Sequence, residues 1–203
     1  MAFRNTFLLL RHGHSLANDR GLIISSPEVG LDQFGLSDRG RDQIVDCVNR
    51  HRGRLRSVAR IYSSDYLRTM ETTRIVADRF GVPFETSPLL RERFFGVWDG
   101  KSNSHYETVW KHDLIDPGNT IGDVESVQAV ADRMSKLVRS LDDEASDQTF
   151  LLVSHGDPLQ IMVAVASGID LRFHRSQRPI ETGQLRVLNE AEGRDEDSDR
   201  VTG

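Results

Sequence analysis

Two histidines in this chain of 203 residues each stand between an apolar segment and a glycine. His12 follows the apolar run at 7–10 and Arg11, and His155 follows the largely apolar segment 149–153 and one serine. Short runs of this kind predict strands that are buried on both faces of a sheet. A single histidine–glycine pair after one strand would be an ordinary strand end with solvated charges. Because ligands of α/β proteins bind beyond the carboxyl ends of strands, two pairs predict two imidazoles in one pocket.

Glu92 is the carboxyl group that the sequence best equips to act as a general acid. Its neighbours in the chain are aliphatic and aromatic, and such surroundings raise the pKa of a carboxyl group toward neutrality. A salt bridge with Arg91 or Arg93 is the structural alternative. Asp99 is the competing acid, and it ranks second because the following Gly100 predicts a surface turn.

The other predicted elements alternate between strands and helices, which indicates an α/β fold. Strands are predicted at 58–63, 84–86 and 184–188, with helices at 38–51, 106–112, 124–141 and from an Asp157 cap to 167. A further helix, capped by Ser64 or Asp65 and running to Phe80, has Arg68 in its first turn. There the guanidinium and the free backbone donors could bind the same anion, although an exposed helix arginine paired with Glu71 or Thr72 is the plainer alternative.

Four segments together resemble the histidine phosphatase (phosphoglycerate mutase-like) superfamily. They match its signature tripeptide, its second arginine segment, its acid-bearing segment and its second histidine segment, in the family's order, at 11–13, 63–72, 90–100 and 154–156. The resemblance implies a three-layer α/β sandwich, phosphoglycerate mutase-like, with a mostly parallel central sheet flanked by helices. We assign it to a single domain at 1–189. Residues 190–203 are acidic and lack apolar periodicity, which predicts a disordered tail.

The resemblance also implies a set of catalytic roles. His12 would attack phosphorus as a neutral imidazole, with its tautomer fixed by a backbone carbonyl such as that of Gly13. Glu92 would protonate the leaving alkoxide and later activate water. The phosphate oxygens would be bound by the side chains or backbone of Arg11, Asn18, Arg68, His155 and Gly156.

Two less specific expectations concern Asn18 and the loop that follows it. An amide donor suits a phosphate oxygen, but without the resemblance Asn18 would be a turn or cap residue. The loop at 21–35 is longer than an ordinary connection, and its apolar residues favour an ordered loop that contributes to substrate selection.

The composition predicts a soluble cytoplasmic protein. The net charge of −5 argues against nucleic acid as a partner, so the positive charge that binds phosphate must be local. Cys47 is the single cysteine, which excludes an intrachain disulfide and fits a reducing compartment. No apolar run approaches the ~18 residues of a membrane-spanning helix, and residues 1–7 have no signal-peptide pattern. We expect neither a cofactor nor a metal, because adjacent arginines repel cations.

Three functions are compatible with this sequence. The first is a phosphatase that hydrolyses a small-molecule phosphomonoester through a phosphohistidine. The second is phosphoglycerate mutase-type phosphoryl transfer, which is less favoured because the segment 101–106 does not resemble the basic acceptor-binding segment of mutases. The third is a non-catalytic scaffold that binds phosphorylated ligands, although every expected catalytic residue is present. An exposed strand edge could support a homodimer, but no residue pattern demonstrates one.

Overall fold

The structure, a computed structural model, describes residues 3–188. Its centre is a sheet of five strands in the order β3-β2-β4-β1-β5. Four of these strands are parallel, and the edge strand β5 runs antiparallel to β1. The strands are β1 (Thr6–Arg11), β2 (Val58–Ser63), β3 (Phe84–Thr86), β4 (Thr149–Ser154) and β5 (Leu185–Val187). The predicted α/β fold with a mostly parallel central sheet is confirmed.

Eight α-helices accompany this sheet within residues 3–188. They are α1 (Leu16–Asp19), α2 (Pro27–Gly30), α3 (Asp38–Arg50), α4 (Arg52–Arg56), α5 (Leu67–Phe80), α6 (Tyr106–Asp113), α7 (Val127–Glu144) and α8 (Gly156–Ser167). Short 3₁₀ turns lie at Pro88–Leu90, Gly96–Trp98, Asn103–His105, Ile121–Asp123 and Leu171–Ser176. None of the helices in this described range is long and apolar enough to cross a membrane.

The side chains of β1 show why the sheet is covered on both faces. Phe7 and Leu9 pack into a cluster with residues of α7 and α8. Leu8 and Leu10 point the other way, into a cluster with residues of α3 and α5. Because successive side chains of a strand face opposite sides, one apolar run supplies both cores. The result is three layers, in which the central residues of β1 and β4 are apolar on both faces.

Serine caps set the starts of two long helices. Ser37 is the N-cap of α3 and accepts a hydrogen bond from the backbone N–H of Gly40. Ser126 does the same for the N–H of Ala129, so α7 begins at Val127 and not at 124 as predicted. Apolar spacing defines the buried face of a helix, but the cap decides where the helix starts.

The start of α8 corrects the sequence-based assignment in a way that affects the site. An N-cap at Asp157 places the first helical residue at 158, yet the helix begins two residues earlier, at Gly156. His155 is the N-cap residue, with an extended backbone (φ −118°, ψ 176°). Asp157 is therefore inside the first helical turn, where its carboxylate is available for contacts other than capping.

The loop at 21–35 is ordered against the segment that follows Glu92. One carboxylate oxygen of Asp99 accepts hydrogen bonds from Ser25 N (2.6 Å), Ser25 Oγ (2.8 Å) and Ser26 N (3.1 Å). Ile23 is fully buried in a small cluster with Phe95. The loop is thus fixed near the carboxyl ends of the strands. The acidic segment 190–203 lies outside the described residues, so the predicted disorder there stays a prediction.

Candidate active site

The two strand-end histidines lie side by side. β1 and β4 are neighbours with Arg11 opposite Ser154, and the backbone N–H of His12 donates to Ser154 O at 3.1 Å. The imidazole centroids of His12 and His155 are 5.2 Å apart, with their planes inclined at 63°. Both rings are buried. Adjacent parallel strands that end at the same level therefore bring residues 143 positions apart into one site.

The hydrogen bonds of His12 define its tautomer. Its Nδ1 lies 2.7 Å from the carbonyl oxygen of Gly13, so Nδ1 carries the hydrogen and donates it. Its Nε2 then has a free lone pair, which accepts from Arg68 Nε at 3.2 Å. Burial, followed by the charges of Arg68 and Arg11, lowers the pKa of His12 well below its usual value. A neutral imidazole whose unprotonated Nε2 carries a lone pair is the form that can attack phosphorus.

His155 is also neutral in the absence of substrate. Its Nδ1 accepts from the same Arg68 Nε at 3.2 Å, so its Nε2 donates to Ser64 Oγ at 2.9 Å. Burial, and then the charge of Arg68, lowers the pKa of this imidazole well below its usual value. A phosphate dianion placed between these groups would oppose that effect and favour the protonated form.

Ser64 was missed as a site residue by sequence reasoning, which assigned it a helix-capping role. The N-cap of α5 is instead Tyr66, whose ring lies 5.2 Å from that of His155. Ser64 follows β2 directly. The signal that could have identified it is therefore its position at a strand end beside β4, the same signal that identified both histidines.

Arg68 lies between the two imidazoles, in the first turn of α5. It is only 3% exposed, and its Nη2 donates to Ile24 O at 2.9 Å. Glu71, its expected partner in the structural alternative, instead pairs with Arg41 at 2.9 Å. Within residues 3–188, the buried Nη1 of Arg68 has no hydrogen-bond partner.

Arg11 presents a second guanidinium to the same region. Its Nη1 donates to Ile180 O at 2.9 Å, whereas its buried Nε has no partner in the described part of the chain. A Cβ atom on Gly156 would lie 3.2 Å from Arg11 Cζ. The guanidinium therefore rests on the start of α8, where the first backbone N–H groups of the helix lack intrahelical partners. Arginine side chains and helix N–H groups together form an anion site.

Glu92 is half-buried and is not neutralised by either neighbouring arginine. Arg91 binds Asp65 with distances of 2.8 and 2.6 Å. Arg93 donates its backbone N–H to Glu92 Oε1 at 2.9 Å, but its guanidinium binds Asp113. Burial, and then the negative charge of Asp157, raises the pKa of Glu92 to about 7.

A carboxyl group with such a pKa can hold a proton at neutral pH and release it to a leaving group. Asp99, the competing acid, is occupied by its bonds to Ser25 and Ser26 in the loop. The geometry thus leaves Glu92 as the stronger candidate for proton transfer.

Asn18 is held by a reciprocal cap at the start of α1. Its Oδ1 accepts from Ser15 N and Ser15 Oγ, both at 2.9 Å, and its backbone N–H donates to Ser15 Oγ. The cap function considered for Asn18 is therefore present. Its Nδ2 makes no hydrogen bond to any residue in 3–188, so the cap fixes the amide while leaving both of its N–H groups available.

Sequence reasoning also missed a buried charged cluster behind Glu92. Arg93 is fully buried and lies between the carboxylates of Asp113 and Asp157. Nothing in the local sequence shows which remote acids an arginine will meet. Separately, no group of three or more His, Cys, Asp or Glu side chains in 3–188 is placed to hold a metal ion.

Comparisons with known proteins give the family and the fold of this chain. The model of the histidine phosphatase superfamily (branch 1) matches residues 7–197. The Probable phosphoglycerate mutase GpmB of Yersinia pestis is 29% identical over 175 residues, which are 84% of this chain and 78% of that protein.

Among solved structures, mycobacterial glucosyl-3-phosphoglycerate phosphatase superposes with a TM-score of 0.76 at 21% identity, covering 92% of this chain and 89% of that one. Bacillus stearothermophilus YhfR gives 0.76 at 23% identity, covering 90% of each chain. These structural similarities show a shared fold. Because the family model spans nearly the whole sequence, this chain belongs to the histidine phosphatase superfamily (branch 1).

Proposed function

We propose that this protein hydrolyses small-molecule phosphomonoesters through a phosphohistidine on His12. The observation that carries the proposal is the pair of buried, unpartnered donors Arg11 Nε and Arg68 Nη1, beside the neutral His12 and within 3–188. A buried cationic N–H group without a partner costs free energy, and an anion that accepts from it removes that cost. A phosphate monoester supplies both the charge and the oxygens, and a reactive phosphorus atom for His12.

The first half-reaction transfers the phosphoryl group to the protein. The lone pair on His12 Nε2 forms a bond to phosphorus as the bond from phosphorus to the ester oxygen breaks. Glu92 gives its proton to that oxygen, so the alcohol leaves neutral. Arg11, Arg68 and a protonated His155 stabilise the charge on the three remaining oxygens.

The second half-reaction restores the protein. The carboxylate of Glu92 takes a proton from a water molecule as its oxygen attacks phosphorus, and the bond from phosphorus to Nε2 breaks. Inorganic phosphate leaves, while Glu92 has regained its proton and His12 is neutral. The alternation of Glu92 between acid and base requires a pKa near the working pH, and its value of about 7 fulfils that requirement.

The charges around the site support hydrolysis over mutase activity. A mutase of phosphoglycerates must bind a carboxylate next to the phosphate, which requires a further cation. Arg91 is paired with Asp65, and Arg93 is paired with Asp113. Both arginines in the segment of Glu92 are thus already matched by carboxylates, which favours water as the phosphoryl acceptor.

The test is phosphate release from p-nitrophenyl phosphate and a panel of phosphorylated metabolites. We expect turnover by the wild type, no turnover by His12→Ala, and full turnover by His112→Ala, which removes a half-buried histidine of α6 whose Nδ1 lies 2.8 Å from Thr108 O. A chelator should leave the rate unchanged. Isomerisation of 3-phosphoglycerate with a bisphosphate primer, without phosphate release, would show a mutase. Equal turnover by His12→Ala would refute the phosphohistidine.

A further inference from the structure

Asp157 is a buried carboxylate next to the site, with a role that the reaction above does not assign. It lies two residues after His155, in the first turn of α8, and is 5% exposed. It accepts a hydrogen bond from Trp110 Nε1 at 3.1 Å and faces Arg93 at 3.4 Å and Arg175 at 3.3 Å. Four elements therefore converge on one carboxylate.

The surroundings of Asp157 keep it ionised. Burial alone would raise the pKa of its carboxyl group, but the guanidiniums of Arg175 and Arg93, and after them the imidazole of His174, outweigh burial. The pKa of Asp157 therefore lies below its usual value. The N–H of Trp110 also stabilises the charged form. Arg93 does not cancel this charge completely, because its guanidinium binds Asp113 in a bidentate pair at 2.7 and 2.9 Å.

A short path connects Asp157 to the proposed acid. The backbone N–H of Arg93 donates to Glu92 Oε1 at 2.9 Å, while the side chain of Arg93 reaches Asp157. The residue that orients Glu92 through its backbone thus also contacts Asp157 through its side chain. The same contact fastens the helix start behind His155 to the segment that carries Glu92.

Charged and titratable groups face Glu92 from several elements. Asp157 is negatively charged and opposes ionisation of Glu92, whereas the positive charges of Arg68 and Arg11 favour it. The tyrosines are neutral at physiological pH, because burial raises the pKa of each to a value above its usual range. The set consists of Arg11 from β1, Tyr66 and Arg68 at α5, Tyr106 from α6, Asp157 from α8, and Arg133 from α7, whose Nη2 donates to the backbone oxygen of Glu92 at 3.3 Å.

We propose that Asp157 is a positioning residue whose fixed negative charge keeps the proton on Glu92 until the leaving oxygen takes it. The proposal rests on the proposed function and deepens it by assigning the origin of the acid's protonation. Its consequence concerns the leaving group. Alcohols of high pKa leave only with a proton, whereas p-nitrophenolate leaves without one. Asp157 should therefore matter for poor leaving groups and not for good ones.

The experiment compares Asp157→Asn with the wild type on phenyl phosphate and p-nitrophenyl phosphate, which have similar shapes and different leaving groups. We measure kcat/KM from pH 5 to 9, because this quantity reports the ionisation of the free enzyme. For phenyl phosphate, the decline of kcat/KM at high pH should move by about one pH unit toward lower pH in Asp157→Asn, which corresponds to about a fivefold loss of kcat/KM at pH 7. For p-nitrophenyl phosphate, the change should stay below about twofold.

Two further variants separate charge from structure. Asp113→Asn removes the carboxylate that binds the guanidinium of Arg93, which then screens Asp157 more fully. The decline should therefore move toward lower pH, but by less than in Asp157→Asn, and the melting temperature should fall. Arg175→Met removes a cation from Asp157 at a partly exposed position, so the decline should move toward higher pH. This opposite shift tests the proposal even if Asp157→Asn does not fold.

Several results would overturn the inference. One is a high-pH decline in kcat/KM that does not move in folded Asp157→Asn, and another is an equal loss of kcat/KM on both substrates. The others are a shift of the decline in Asp113→Asn as large as that in Asp157→Asn, or no shift toward higher pH in Arg175→Met. Failure of the proposed function looks different, since the wild type would then release no phosphate or His12→Ala would remain active. If the wild type releases no phosphate, both the proposed function and the inference about Asp157 are refuted.

Discussion

Replacement of Gly156 by alanine should lower turnover while leaving the protein folded. A Cβ atom at this position would lie 3.2 Å from Arg11 Cζ, 3.4 Å from Nη1 and 3.5 Å from Nε. The backbone itself accepts alanine, because Gly156 is the first residue of α8 and is not among the glycines with positive φ. The added methyl group therefore acts on the guanidinium and not on the helix.

The size of the effect follows from how far Arg11 must move. A contact of 3.2 Å requires a displacement of a few tenths of an ångström, which weakens the 2.9 Å bond from Nη1 to Ile180 O. Misplacement of a binding group by 1 Å can cost about a hundredfold in rate, so we expect a loss of about fivefold to tenfold in kcat/KM. That loss corresponds to about 1 to 1.4 kcal/mol. Replacing a helical glycine contributes about 0.5–1 kcal/mol of stability, which offsets the strain of the contact.

A double-mutant cycle isolates this mechanism. In the Arg11→Ala background the new methyl group has nothing to displace, so the addition of Gly156→Ala should leave kcat/KM unchanged. The assay is p-nitrophenyl phosphate hydrolysis, with thermal unfolding measured for all four proteins. An equal loss in both backgrounds, or a free energy of unfolding lower by more than about 2 kcal/mol, would show that the methyl group perturbs α8 and not Arg11.

Three further variants test other parts of the structure. The pKa of Glu92 is about 7 in the folded protein, above its unfolded value, so the free energy of unfolding should fall as pH rises from about 4.5 to 7 and stay reduced above pH 7. Glu92→Gln has no such penalty. In urea unfolding at pH 8 the variant should therefore be more stable than the wild type by up to about 3 kcal/mol. Asp99→Ala frees the loop that holds Ser25, and should raise KM more than it lowers kcat; an unchanged KM would refute a role for this loop in substrate binding. Arg93→Met leaves Asp113 without its buried partner and should cost about 3–5 kcal/mol in thermal unfolding, whereas a loss below about 1 kcal/mol would contradict that pairing.

The parts of the fold that could be predicted are those that depend on patterns of residues close together in the sequence. The apolar segments before His12 and His155 predicted β1 and β4, and the spacing of apolar residues predicted the long helices. The first-turn position of Arg68 followed from the break between β2 and α5. These features depend on residues within one or two turns of each other, so a single sequence contains them.

The parts that escaped prediction depend on contacts between distant segments. The sequence does not show that β4 lies between β1 and β2, because strand order is a property of the assembled sheet. Arg93 was considered as a partner of Glu92, but its guanidinium reaches Asp113, 20 residues further on. Asp157 looked like a cap because its residue type favours caps, and tertiary contacts with Arg93 and Arg175 overrode that preference.

The placement of β4 between β1 and β2 determines when the site can form during synthesis. β1 occupies Thr6–Arg11, yet its parallel neighbour is not made until Thr149–Ser154. Both imidazoles, and the helix start that supports Arg11, therefore assemble only after about three quarters of the chain has emerged from the ribosome. Pairing over such a separation carries a loop-closure cost and slows folding. A nascent chain stopped before β4 has the first histidine, both arginines and the acid, but no active site.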